Sequence, residues 1–550
     1  MNKTKQIIIV VAVFVLAIAS LGTIIGLIVD AGQMSDYSDG FGYTLNGSRA
    51  TITDYNGSDT AVVIPDKIRG NRVVAIASGA FDDKAKEITS IVINSTYSNF
   101  EIEEKAFEKL TALTKVVLPS GLKEIPDECF SGCSALKEVY MPSTLTAIGE
   151  KAFYECTSLV FSYSSQSYGE DVSESVFYLP ESLLEIGNSA FYGCTRLEGL
   201  YIAKSLEKID DNAFYNCTRL SNVKVADNSE LTTIGASAFY SAIIKSNEAT
   251  PLNFPNLITI GEKAFANVKS NFTYFAFPAS VTAVGENAFL SCTSLSKVKF
   301  ADDAKDIEFG AGCFEDCTTL SAIKLPEAVT AIPERMFKGC SRLLYASPFT
   351  VSKNVETIGE GAFAIYSNST SYAKCDIIVD AENENYKTIA LENFYKSGNT
   401  ATPYTHGLLT NADGSVVLAY FGKNYDENST NGNGGQTFRF YGEDGTQIKT
   451  IKSISAYAFA GVDFAYILLP MSLDNVGDYV FFNSDIDVVY APSISWEWQE
   501  YSFAVEDEGA PAIAVSILKS AGTTQEINEF LLLLADAVSE SSIAGVDLIP

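Results

Sequence analysis

Histidine is almost missing from this chain: His406 stands alone among 550 residues. Acid–base and nucleophile-activating sites near neutral pH mostly rely on imidazole. Ser-His-Asp and Cys-His arrangements thus have one candidate, and no HExxH zinc motif exists. His406 itself reads as a structural or solvated residue. Basic side chains are scarce too, with 38 Lys and Arg against 68 Asp and Glu and a net charge of −30. Phosphate binding needs a basic footprint, so nucleic acid is not an expected partner. The acids suit a solvated surface. They leave carboxylate-pair chemistry of the glycosidase kind open, yet no spacing singles out a pair. The expectation is a chain that is not an enzyme and needs no cofactor.

Other absences narrow the reading. No complete D-x-[DN]-x-[DN]-G-x5-E calcium loop is present, so Asn411, Asp413 and Asp444 read as turn residues and no metal site is expected. The 23 residues from Ile7 to Val29 carry no charge, about 35 Å as a helix, enough for a bilayer core of about 30 Å. Lys3 and Lys5 precede the run and Asp30 follows it, placing the tail inside and the bulk outside. This predicts an uncleaved signal anchor within residues 1–33. The alternative is a cleaved, secreted chain, with Ala17-Ile18-Ala19 and Val29-Asp30-Ala31 resembling cleavage sites. No Cys lies near this run, which argues against a lipoprotein anchor.

What the chain has in abundance is a repeat. AFYGCTRLEGLYI, from Ala190, returns 23 residues later as AFYNCTRLSNVKV. Anchored on Phe, the repeat occurs at Phe81, Phe107, Phe130, Phe153, Phe191, Phe214, Phe239, Phe265, Phe289, Phe314, Phe337, Phe363, Phe394, Phe459 and Phe481. Most spacings lie between 22 and 26, and long gaps after Phe153 and Phe394 mark insertions. Relative to Phe289 as position 0, apolar residues fall at −8 (Val281), −5 (Val284), −1 (Ala288), +3 (Cys292), +6 (Leu295), +9 (Val298) and +11 (Phe300). Steps of three and four from −1 to +6 predict one or two helical turns. The step of two from +9 to +11 predicts a short strand, often ended by Pro, as at Pro119, Pro142 and Pro326. No such unit buries its face alone, so the units must stack into one solenoid with parallel strands.

The phrase L-x-x-I-x-x-x-A-F-x-x-C-x-x-L-x-x-V-x-[LVIF]-P resembles the BspA-type (Treponema-type) leucine-rich repeat, over roughly residues 41 to 495. It lacks the Asn that follows the strand in more familiar leucine-rich repeats. The repeat and this resemblance together predict an α/β solenoid, a leucine-rich-repeat-like right-handed coil of short parallel strands and short helical segments, which the Ile7–Val29 run would place behind an N-terminal transmembrane helix. The resemblance also implies surface exposure and, in several relatives, adhesion to host matrix or other cells. The implied partner is an extracellular protein or glycan; the alternative role is a passive envelope scaffold. A carboxylate-based glycan hydrolase is a third reading.

The expected organisation follows. Residues 1–33 form tail and anchor, and 34–80 a strand-rich cap with hairpin signals at Asn46-Gly47 and Asn56-Gly57. Residues 81–400 form the array. Residues 401–450 hold a hairpin, turning at Ala412-Asp413-Gly414, and the polar loop Asn424 to Gln436. Residues 451–495 hold the last repeats, and 496–550 a cap with a helix at Gln525 to Val538 that closes the array or binds a partner. Sequons at Asn94 and Asn368 matter only in a glycosylating host.

Seven of the ten Cys share position +3, where other units place Leu110, Ala242 or Val268, and Cys129 and Cys313 replace the Ala at −1. A slot that accepts those residues is small and apolar, so buried unpaired thiols are expected ahead of disulfides or metal. Positions +8 and +10 flank the buried +9 and should face solvent. In the six clearest units these are Lys115, Val117, Glu138, Tyr140, Gly199, Tyr201, Asn222, Lys224, Lys297, Lys299, Ala322 and Lys324. Lys115, Tyr140, Tyr201, Lys224, Lys297, Lys299 and Lys324 form the candidate binding face, a cationic and aromatic stripe suited to an acidic protein or glycan. The alternative is that Lys only keeps the strands soluble.

Overall fold

The computed structural model describes residues 40–164, 176–343, 348–364, 377–391, 406–421, 437–439, 450–459, 463–470, 472–481, 485–491 and 516–519. The run Ile7–Val29, Phe394, Cys375, Asp444, the Asn424–Gln436 loop and the Gln525–Val538 segment lie outside them. Among the described residues no helix is long and apolar enough to cross a membrane. The chain divides into two compact units, Met1–Leu231 and Thr232–Pro550.

In the first unit, coils stack through two parallel ladders. The longer ladder runs through eight strands: Ala61–Ile64, Ser90–Ile93, Lys115–Val117, Glu138–Met141, Phe161–Ser164, Val176–Tyr178, Gly199–Ile202 and Asn222–Val225. Those of the Phe107, Phe130, Phe153, Phe191 and Phe214 coils fall within the +8 to +11 stretches, and the residues at +9, such as Val116, Val139 and Leu200, are fully buried. The second ladder was not expected. It pairs two-residue strands at −6 and −5, including Glu124–Ile125, Ala147–Ile148, Glu185–Ile186 and Lys208–Ile209. Each coil therefore contributes two strands rather than a strand and a helix.

The segment between −2 and +2 corrects the helical expectation. Among the described residues it is a chain of turns, with a three-residue 3-10 helix at Asp82–Lys84. Positions −2 and +2 take left-handed backbone, as at Lys105 (φ 61°), Lys109 (φ 57°), Asn212 (φ 54°) and Asn216 (φ 58°). Such residues break a right-handed helix, and each costs about 1–2 kcal/mol when it is not Gly. They turn alternate amides out of the coil toward the next one. Lys105, Phe107 and Lys109 thus donate to the carbonyls of Asp127, Cys129 and Ser131 at 3.1, 3.0 and 2.7 Å. The 3–4 spacing of apolar residues persists because the turns still direct −1, 0, +3 and +6 inward.

The Phe side chains form a spine. Phe107, Phe130, Phe153, Phe191 and Phe214 are fully buried, with successive ring centroids 5.1–5.3 Å apart and planes within 11°. Each buried ring contributes roughly 1.5–3 kcal/mol of transfer free energy. Polar side chains also join coils. The Thr144 hydroxyl donates to the Leu122 carbonyl at 2.7 Å, and Ser182 donates to Leu145 at 2.5 Å. The unit opens with an antiparallel hairpin, Phe41–Asn46 on Arg49–Tyr55, turning through Gly47. The second expected turn, Asn56-Gly57, is no hairpin. It leaves the strand with Gly57 against the Tyr55 ring, where a Cβ would meet the phenol oxygen at 2.5 Å.

The second unit repeats this plan. Thr233–Ile234, Thr259–Ile260, Ala283–Val284 and Glu308–Phe309 pair in parallel, and Tyr274–Phe277 pairs with Lys297–Phe300. Close approach of coils explains one Gly: a Cβ on Gly261 would lie 2.5 Å from the Ala236 nitrogen. His406–Asn411 and Ser415–Phe421 form an antiparallel hairpin turning at residues 412–414, and Tyr386–Leu391 adds a third antiparallel strand. The hairpin joins the array through Ser415 and Val416, which pair in parallel with Ser453 and Ile454 at −6 and −5 of the Phe459 coil. The inserted strand takes the place of a coil's short strand. Ser516–Lys519 pairs with Asp485–Ala491, so parallel pairing extends beyond residue 496, where the sequence pattern fades.

Candidate binding face

Alternate register positions of the first unit's long ladder line up in two columns, in which Val176 and Tyr178 are buried. One holds Lys115, Glu138, Phe161, Val176, Gly199 and Asn222. The other holds Val117, Tyr140, Tyr163, Tyr178, Tyr201 and Lys224. Four tyrosines thus occupy successive strands, spaced by the ladder at about 4.8 Å. Sequence reasoning placed Tyr140 and Tyr201 here but missed Tyr163 and Tyr178. Tyr163 follows a polar Ser162 at +9, which blurs the strand pattern. Tyr178 sits on Val176–Tyr178, an extra strand between those of the Phe153 and Phe191 coils. The short ladder gains no strand there, since Ala147–Ile148 pairs directly with Glu185–Ile186. The signal available was Val176-Phe177-Tyr178-Leu179-Pro180, which carries the strand-then-Pro ending without a Phe of its own.

Tyr178 and Tyr201 have ring centroids 5.7 Å apart. Partial burial raises the Tyr201 phenol above its ordinary value, and Glu181, Asp227 and Tyr178 raise it further. The Tyr201 phenol therefore stays protonated at physiological pH. Lys115 lies 4.6 Å from the Tyr140 ring centroid and 3.6 Å from the Glu138 carboxylate. Its charge is shared inside the face. Gly199, expected to face solvent, is buried, whereas Asn222 and Lys224 are exposed.

The second unit carries its own patch. Tyr274, which is buried, shares one register column with Lys297 and Ala322, and Ala276 and Lys299 share the other, with Lys324 two residues beyond Ala322. Lys299 and Lys324 are exposed, and among the described residues neither has a carboxylate within 4 Å. Lys297 does: Glu248 lies 2.8 Å away. The seven candidates therefore divide between the units. Lys115 and Lys297 are paired internally, and Lys224, Lys299 and Lys324 project their charge outward.

The cysteines lie elsewhere, in the core. The nine described thiols are free and buried. Those at +3 do more than fill a small slot. Cys133 donates to the Phe107 carbonyl at 3.1 Å, Cys217 to Phe191 at 3.2 Å and Cys292 to Phe265 at 3.0 Å, each reaching the preceding coil. Asp413 serves its turn, accepting hydrogen bonds from the Ser415 amide and hydroxyl at 2.9 and 2.8 Å, which lower its carboxyl below the usual value.

Stacked coils with parallel ladders and a Phe spine define a leucine-rich-repeat solenoid, an architecture suited to binding or scaffold roles. The family model described as "BspA type Leucine rich repeat region" matches in six copies, over residues 74–178, 164–270, 258–387 and 439–508. The chain belongs to this BspA-type leucine-rich repeat family. No curated protein matches the chain. Among solved structures, it is similar to a leucine-rich repeat protein from Bacteroides ovatus, with 25% identity, 60% of this chain and 91% of that one covered, and a TM-score of 0.36. It is also similar to the leucine-rich repeat protein of T. pallidum, with 28% identity, coverage of 38% and 88%, and a TM-score of 0.31. The pneumococcal vaccine antigen PcpA aligns over 90% of this chain and 95% of its own, with 16% identity and a TM-score of 0.38.

Proposed function

We propose that this chain is a surface-displayed recognition protein, held at the cell membrane through Ile7–Val29, whose outward sheet faces bind an extracellular protein or glycan in adhesion to host or neighbouring cells. Family membership supports a binding or scaffold role. The observation that carries recognition over scaffolding is that half-buried Tyr140 and Tyr201 share one register column with exposed Lys224. Solubility alone calls for polar residues at these positions. Tyrosine offers large contact area at low entropic cost, and lysine adds attraction for acidic partners.

The test is capture of extracellular matrix and community surface proteins by the full chain, compared with a Tyr140→Ser, Tyr201→Ser, Lys224→Ser variant of unchanged circular dichroism. Capture that falls at least tenfold and weakens with added salt in the parent chain supports recognition. Equal capture by both refutes this face. Cell fractionation with N-terminal sequencing tests the anchor: a mature protein beginning near Ser20 or Gly32 would make it a secreted one.

A further inference from the structure

Lysines on one sheet face repel one another, and like charges on adjoining strands destabilise a sheet. The second unit nonetheless gathers three. Lys297 pairs in parallel register with Tyr274 on one side and bridges to Ala322 on the other, with Lys299 and Lys324 each two residues further along. Lys299 and Lys324 are both exposed, and among the described residues neither has a carboxylate within 4 Å. Ala276 and Ala322, one methyl each, leave the approach to them open.

Glu248 reaches the edge of this patch from a braced loop. Ser246, fully buried, donates its hydroxyl to the Tyr274 carbonyl at 2.7 Å and accepts the Leu252 amide at 3.0 Å. The Asn247 side-chain oxygen accepts the Ala249 and Thr250 amides at 3.0 and 2.9 Å. The loop is thereby fixed beside strand Tyr274–Phe277, and Glu248, itself 69% exposed, meets Lys297 at 2.8 Å. A carboxylate on a polypeptide turn already occupies one of the three cationic heads.

We propose that Glu248 is a resident competitor on an acid-binding surface: Lys297, Lys299 and Lys324 receive an acidic polypeptide segment, and Glu248 holds Lys297 until that segment displaces it. This rests on reading the sheet faces as recognition surfaces. It adds the partner's chemistry and a built-in restraint. The Glu248 loop indicates a polypeptide partner, because a glutamate side chain borne on backbone is the group that the patch already fits. The ion pair is exposed and weak, so displacement sharpens selectivity for multivalent acids over single carboxylates without blocking the surface.

The experiment titrates the full chain with poly-L-glutamate at low and moderate salt, with polygalacturonate as the second probe. Glu248→Gln frees Lys297 and should tighten poly-L-glutamate binding roughly two- to fivefold, the range expected for removing one exposed ion pair. Lys299→Ser with Lys324→Ser should weaken binding at least tenfold and abolish the gain from Glu248→Gln. Unchanged or weaker binding by Glu248→Gln overturns the proposal, as does preference for polygalacturonate in every variant. All of these positions are exposed or on a loop surface, so folding is checked by circular dichroism alone. If these results fail while the Tyr140, Tyr201 and Lys224 variant still loses capture, the restraint is wrong and the recognition reading stands. If both fail, the recognition reading falls too.

Discussion

Alkaline pH should unfold the first unit through its buried thiols. Burial pushes Cys133 and Cys217 from an ordinary value of 9.0 up to about 12, and pushes Cys129, Cys156 and Cys194 upward as well. These are acids whose folded pKa lies above the unfolded one. The folded chain keeps its protons while the unfolded chain sheds them above about pH 9, so stability falls as pH rises. Below that pH the contribution is fully present. Each thiol removes about 1.4 kcal/mol per pH unit, or about 4 kcal/mol between pH 9 and 12 for Cys133 and again for Cys217. Roughly 8 kcal/mol from two residues matches the 5–15 kcal/mol that holds a domain folded. The other three act in the same direction, so the transition should come well before pH 12. Circular dichroism and thiolate ultraviolet absorbance, followed together on raising pH, should change in one step. Cys217→Ala should lessen the slope by about 1.4 kcal/mol per pH unit, while costing about 1 kcal/mol at neutral pH through the lost S–H bond to Phe191. Thiolates that appear near pH 9 with circular dichroism intact would refute the reasoning. So would ready alkylation of the native protein without reductant.

Two further outcomes test the stacking. Phe191→Ala removes a fully buried ring that stacks on Phe153 and Phe214 at 5.1 Å. It should cost about 3–5 kcal/mol and, because coils stabilise one another as neighbours, split the urea transition of the first unit into two steps. Gly261→Ala sets a methyl 2.5 Å from the Ala236 nitrogen, forcing two coils apart, and should lower stability by roughly 1–3 kcal/mol in the same assay.

Which side of each coil faces inward was legible from residue order alone. Burial repeats on a local period, and Phe at 0, Leu at +6 and an aliphatic at +9 are the same letters whether the neighbouring coil is seen or not. The small apolar slot at +3 was legible for the same reason. The Asn46-Gly47 turn was legible because Gly carries its backbone preference with it, and Gly47 has φ 64°. The left-handed residues at −2 and +2 had no such marker: Lys105, Glu155, Ser237 and Asn267 have no common chemistry. Their conformation is held by amides that donate to the next coil, as from Lys105 to Asp127 and from Asn267 to Leu290 at 2.8 Å, so it exists only when coils stack. The two-residue strands at −6 and −5 are too short to show alternation and form by the same pairing. On the candidate face, the spacing placed the lysines outward, but their charge was decided by tertiary structure. Lys297 meets a carboxylate 49 residues away and Lys115 one on the adjoining strand, while Lys299, two residues further on, has none among the described residues. Coulomb attraction depends on distance through space, which residue order alone does not provide.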